Sequence, residues 1–173
     1  MDTDKKVSLA CAVLTVSNSR SAGDDTSGNI LVHGLAQAGH QCVRRDIVGH
    51  DRYAIRRILS EWIADPEVQV IMTNGGTGFA ERDCTPEAVR VLFDREIDGF
   101  GELFRQISYT EIGSSALQSR AIAGYANNTV IFCIPGSNDA CQTAWDGIIR
   151  EQLDSDHKPC NFAAPLRRRN TEE

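Results

Sequence analysis

At 173 residues, 41% hydrophobic and 24% charged, the chain has the make-up of one soluble globular domain of ordinary size. Its formal net charge of −6 and pI near 5.2 argue against nucleic acid as the main partner, because such proteins present a basic face. No apolar run approaches the ~20 residues of a membrane helix, and the charged opening MDTDKK is followed by no cleavable apolar segment, so no membrane partner and a cytoplasmic location are expected.

Residues 9–16 form an apolar, β-like run that ends at Ser17-Asn18-Ser19-Arg20. After a polar turn over 24–28, residues 28–38 read as a helix, with Ile30, Leu31, Leu35 and Ala38 on one face and Gly39 closing it. Residues 41–48 are a weaker strand. Asp51 suits a helix N-cap ahead of Ile55, Ile58, Leu59 and Trp62, which share a face, and Pro66 ends that helix. Residues 68–72 are the next strand, and helices are expected at about 86–93, 101–107 and 115–123. Asn127-Asn128 is a turn and 129–134 a strongly β-like strand. Pro135-Gly136-Ser137 follows, with Ser137 capping a helix that runs to about Leu153. The last twenty residues hold two prolines and no clear period, so they read as an extended, partly ordered tail, with Arg167-Arg168-Arg169 a solvated basic segment. Strands alternating with helices predict an α/β fold with a mostly parallel sheet covered on both faces.

Six cysteines, none in a C-x-x-C pair and two (Cys11 and Cys133) inside strand-like runs, fit reduced thiols rather than a disulfide scaffold. The four histidines show no zinc spacing, and each reads as a surface or polar core residue. Trp62 and Trp145 lie on apolar helix faces and read as core.

The stretch VIMTNGGTGFAERDCTP, residues 70–86, carries the chemistry. A buried-type strand stops at Thr73-Asn74, three glycines arrive in four residues (Gly75, Gly76, Gly78), Asp83 follows, and Thr85-Pro86 opens a helix. Glycine lets the backbone approach a ligand, a helix N-terminus favours anions, and a nearby carboxylate can hold magnesium against phosphates. The loop is neither a Walker A loop, lacking Gly-Lys-Ser/Thr, nor a dinucleotide fingerprint, since Glu81 stands where a third Gly or Ala belongs. Its plainer reading is a tight strand-to-helix turn. Asp51 has a plain reading too, as an N-cap, and an N-cap carboxylate still has oxygen lone pairs to spare for a metal. The loops after the first strand (Ser17 to Gly28) and the last (Pro135 to Ser137) share this end of the sheet and suit a second anionic ligand, while Ser114-Ser115 suits a helix cap.

Nearly the whole chain resembles the MoaB/MogA molybdopterin-binding family. The matching segments are LTVSNSR, DDTSG, DRYAIRRIL, NGGTGF with RDCTPEA, FDREIDGFGELFR, EIGSSALQSRA, IFCIPGS and PCNF. The resemblance covers a single domain over about 8–162, leaving 1–7 and 163–173 as tails. It implies a three-layer α/β/α sandwich, a homo-oligomer (trimer or hexamer) and Mg-ATP-dependent adenylylation of molybdopterin with release of pyrophosphate. A non-catalytic molybdopterin carrier or scaffold is the alternative that family also allows, and a metal-insertion protein is an implied partner. Carried over by position, Asp83 and Asp51 are the catalytic acids that hold Mg2+. Gly75, Gly76, Thr77, Gly78, Pro135, Gly136 and Ser137 would bind nucleotide phosphates, and Ser17, Asp25 and Ser114 the pterin.

Overall fold

The computed structural model describes residues 6–167; Arg168 and Arg169 of the basic triplet lie outside them. The elements in chain order are β1 (Ala10–Val16), α1 (Thr26–Gln37), β2 (Gln41–Val48), α2 (Arg52–Ala64), β3 (Val70–Asn74), α3 (Thr85–Arg90), β4 (Arg95–Glu96) and α4 (Asp98–Ile112). A 3-10 segment (Gly113–Gln118), β5 (Ile122–Ala126), β6 (Thr129–Ile134) and α5 (Asn138–Ala144) follow. The α5 helix runs through a π turn (Trp145–Ile149) into α6 (Arg150–Gln152), and α7 (Ala163–Arg167) is the last described element.

The sheet has six strands in the order β2-β1-β3-β6-β5-β4. β2, β1, β3 and β6 are parallel, while β5 and β4 add an antiparallel edge. Because side chains alternate along a strand, each central strand feeds two cores. Cys11, Val13, Val70, Met72, Val130 and Phe132 pack with Leu31 and Leu35 of α1, Phe100 and Phe104 of α4, and Trp145. Ala12, Leu14, Ile71 and Ile131 pack on the opposite face with Ile55, Ile58, Leu59 and Trp62 of α2 and Val89 of α3. Each large side chain buried in this way contributes about 1.5–3 kcal/mol. The result is the three-layer α/β/α sandwich with a mostly parallel sheet that the sequence implies.

Two local readings change. No helix spans 115–123: the chain makes 3-10 turns to Gln118 and then enters β5. Asn127 and Asn128 have φ of 48° and 59°, which is the signature of a two-residue hairpin with right-handed strand twist, and it joins β5 to β6. That hairpin forces residues 122–126 into the sheet. The tail also folds further than expected. Ala163 and Leu166 of α7 are buried, and Gln69 Nε2 donates to the Leu166 carbonyl at 2.9 Å. Among the described residues no helix is long and apolar enough to cross a membrane.

His40 caps the start of β1 from below. The Leu9 N–H donates to its Nδ1 at 3.2 Å, so the bond requires a neutral ring. Burial holds the His40 pKa below its ordinary value, with Asp154 opposing and Lys6 reinforcing that shift. A depressed folded pKa means that the unfolded chain binds the proton more readily, so stability is complete above about pH 6.5 and declines as pH falls below it. Urea unfolding at pH 7.5 and 5.5 should show lower stability at 5.5, and the loss should shrink in His40→Gln. An equal acid loss in both proteins would remove His40 as its source.

Candidate functional site

The connection from β1 to β2 runs through α1 on one face of the sheet, and that from β2 to β3 runs through α2 on the other. The crevice beyond the carboxyl ends of β1 and β3 is therefore the topological switch point of the sheet, where open α/β folds place ligands. A cavity of about 400 Å³ lies there. Ser17 and Arg20 after β1, His50 after β2, Asn74 to Gly78 after β3, and Pro135 and Gly136 after β6 all line it, as do Arg82 and Asp83.

The glycine loop is shaped by backbone contact rather than by freedom. Gly75 and Gly76 have φ of +100° and +71°, and a Cβ on Gly75 would collide with the Val16 carbonyl. A Cβ on Gly136 would stand 2.9 Å from the Gly75 Cα, so the loops after β3 and β6 touch main chain to main chain. Thr85 pins the loop from below: its Oγ1 donates to the Gly75 carbonyl at 2.8 Å and its N–H to the Gly76 carbonyl at 3.0 Å. With those carbonyls engaged from below, the upper surface is left to small residues and backbone.

Asp83 faces the cavity at the end of this loop. Its Oδ2 accepts the Ala80 N–H at 3.0 Å, and its own N–H donates to the Ala80 carbonyl at 2.9 Å. Asp51 does not line the cavity; its Oδ1 accepts the N–H groups of Tyr53 and Ala54 at 2.9 and 2.7 Å, as an N-cap does. Both carboxylates nevertheless act on one neighbour. Burial raises the Cys84 thiol pKa, Arg52 opposes this, and Glu87, Asp51 and Asp83 add to it.

Among the described residues no three His, Cys, Asp or Glu side chains gather as a metal cage. Asp83 keeps one carboxylate oxygen without a hydrogen bond at the cavity, a donor of the kind Mg2+ takes beside waters and phosphate oxygens. Asp51 keeps one as well, but outside the cavity lining.

Asp25 has a different environment from Ser17. Its carboxylate is fully buried, accepting from Thr15 Oγ1 at 2.9 Å, the Gly28 N–H at 3.1 Å and Arg45 Nη2 at 3.0 Å. Asn74 joins this network, donating to Thr15 Oγ1 at 3.0 Å and accepting from Ser27 Oγ at 2.8 Å. A buried ionic network therefore ties the start of the glycine loop to α1. Ser114 is exposed in the 3-10 segment and Ser137 caps α5 through the Ala140 N–H at 3.1 Å; neither lines the cavity, whereas Ser115, Gln118 and Ser119 do. His50 reads in the sequence as a surface or polar core residue. Its Nδ1 is buried without a hydrogen-bond partner among the described residues, on the cavity side beside Gly76. Only its place one residue before Asp51, at the end of a strand, could have marked it in the sequence.

A glycine-walled, carboxylate-bearing crevice at the switch point of a mostly parallel sheet marks an open-sheet α/β protein with its cavity where such folds place ligands. The chain belongs to the molybdopterin-binding family: the model described as "Probable molybdopterin binding domain" matches residues 12–155. It is similar to molybdenum cofactor biosynthesis protein B of Escherichia coli K12, with 55% identity over 157 residues, covering 91% of this chain and 92% of that protein. The Bacillus subtilis protein of the same name is 42% identical over 146 residues, covering 84% and 86%. A crystal structure of a molybdenum cofactor biosynthesis protein B superposes with a TM-score of 0.86 at 38% identity, covering 96% of this chain and 98% of that one. The tungsten cofactor synthesizing protein MoaB from Pyrococcus furiosus gives 0.75 at 35% identity, covering 82% and 90%.

Proposed function

We propose that this protein acts in molybdenum cofactor biosynthesis by transferring the adenylyl group of ATP to molybdopterin. The observation that carries the reading is the pairing of the Gly75–Gly78 cradle with the Asp83 carboxylate in one cavity, within a family whose members bind molybdopterin. In the reaction an oxygen of the pterin's terminal phosphate forms a bond to the α-phosphorus of ATP. The bond from that phosphorus to the bridging oxygen breaks, and its electron pair leaves on pyrophosphate.

The nucleophile is already an anion, so alignment and charge neutralisation matter more than proton removal. Thr77 and the glycine backbone would hold the nucleotide phosphates, and Arg20 and Arg82 on the cavity wall offset their charge. Ser17 on the β1 side and Gly136 on the β6 side would flank the pterin and the nucleotide. Asp51 and Asp83 would hold the magnesium ion, whose chemistry is to neutralise the phosphates and the leaving pyrophosphate.

A trimer or hexamer accords with the exposed Leu103, Tyr109, Ile112 and Leu117 on α4 and the segment after it. The deciding experiment is pyrophosphate release by the purified protein with molybdopterin and Mg-ATP, and with either omitted. Release that requires both, with an adenylylated pterin as product, is the expected result. Pterin binding without release, beside an active control enzyme, would make the protein a carrier instead.

A further inference from the structure

The chain from Gly78 to Asp83 leaves the cradle, passes over the surface and returns with the catalytic-site carboxylate. It is short of fixed structure of its own: Phe79, Ala80, Glu81 and Arg82 are all exposed. Thr85 pins Gly75 and Gly76 but reaches no further along the loop. Within the remainder Ala80 and Asp83 close a local turn, and what ties that turn to the rest of the protein comes from more than thirty residues away. Arg120 Nε and Nη2 both donate to the Gly78 carbonyl, at 3.0 and 2.7 Å, and Nη2 also donates to the Asp83 carbonyl at 3.0 Å. Nη1 pairs with Glu87 Oε1 on α3. The Arg120 N–H donates to the Thr77 carbonyl at 3.2 Å, and the Phe79 ring covers the guanidinium at 5.1 Å.

One side chain thus grips both ends of the loop and the helix that follows it. We infer that Arg120 is a positioning residue, a strap that holds residues 78–83 so that the Asp83 carboxylate faces the cavity. Its donors are nearly all committed to protein acceptors, which leaves it no part as a direct ligand contact. The strap is itself anchored: Arg105 Nη1 of α4 donates to the carbonyls of Ser119 and Ala121, at 3.3 and 3.0 Å, on either side of Arg120. Burial pushes the Glu87 carboxyl up, and the hydrogen bond and charge of Arg120 more than reverse this, so the pair is ionised at neutral pH. A planar fork is needed to span two carbonyls and a carboxylate at once; an ammonium group has neither the shape nor the reach.

The test is hydrogen exchange followed by mass spectrometry on wild type, Arg120→Lys and Glu87→Gln, with kinetics alongside. In wild type the amides of Ala80 and Asp83, which close the turn that Arg120 backs, should exchange well below the rate of an unstructured peptide. In Arg120→Lys the 78–84 segment should exchange ~10-fold faster or more, while β3 and β6 are unchanged. Glu87→Gln, which keeps an acceptor for Nη1, should stay near wild type. The functional arm rests on the adenylyl-transfer reading. Since Thr85 still holds Gly75 and Gly76, Arg120→Lys should lower kcat by ~10-fold or more with KM for ATP changed less than ~3-fold. Wild-type exchange in Arg120→Lys overturns the strap. So does a wild-type 78–84 segment that exchanges at the rate of an unstructured peptide, a result that stands even where the variant does not fold. If wild type shows no turnover, the adenylyl-transfer reading fails while the exchange data still decide the strap.

Discussion

Asp83→Asn should lower pyrophosphate release by ~100-fold or more while moving the melting midpoint by no more than a few degrees. Asp83 lines the cavity, and the one hydrogen bond its carboxylate accepts within the protein comes from the Ala80 N–H. An asparagine Oδ1 can accept that bond in the same place, so the loop keeps its shape. What the substitution removes is the negative charge. A neutral amide is a far weaker magnesium ligand, and the leaving pyrophosphate would then separate without its counter-charge held in place. Because the side chain is only part-buried and near-isosteric, the fold loses little. Steady-state pyrophosphate release and a thermal melt, on the same preparation, check both halves. Unchanged turnover would remove Asp83 from the role assigned to it.

Asp25→Ala should do the reverse, with its primary effect on stability. The expected loss is about 1–3 kcal/mol, the cost of leaving buried donors without their acceptor, because Arg45 is partly exposed and keeps Asn29. For a chain of this length that is a fall in melting temperature of roughly 2–12 °C. The carboxylate serves three donors at once, on β1, at the start of α1 and on β2, and it is fully buried. Its removal leaves the Gly28 N–H and the Thr15 hydroxyl without their acceptor, since a methyl group accepts no hydrogen bond, while Arg45 keeps Asn29 Oδ1 at 2.7 Å. Asp25→Asn should fall between, because it keeps oxygen for Thr15 or Gly28 and loses the charge that Arg45 faces. A melting curve decides the matter. An Asp25→Ala protein as stable as wild type but weak in pterin binding would restore Asp25 as a ligand contact.

The parallel part of the fold was legible because its signals are local. Apolar runs mark β1, β3 and β6, caps at Asp51 and Ser137 mark two helix starts, and three glycines between a strand and Thr85-Pro86 mark the loop that forms the cavity floor. The antiparallel edge was not. β4 is two residues long, and β5, IAGYA, is mostly alanine and glycine, which are poor strand formers, so neither carries a strand signal of its own. The Asn127-Asn128 hairpin makes β5 a strand, because a two-residue turn with positive φ at both positions obliges its flanks to pair.

In the site, the residue types at the strand ends are already set by the chain order: the glycines, Asp83, Asp51, Ser17 and Pro135-Gly136. What each carboxylate faces is settled by the folded packing around it. Asp25 and Asp83 look alike as acids beside glycine-containing turns. One is sealed under Arg45, Thr15 and Asn74, which come from three different strands, and the other opens to the cavity. Arg120 reads in the sequence as an ordinary cation between two short elements, yet its partners are carbonyls more than thirty residues away. Backbone periodicity is set by neighbours within a few residues, whereas the burial and hydrogen bonding of a polar side chain depend on groups that meet only when the sheet has assembled.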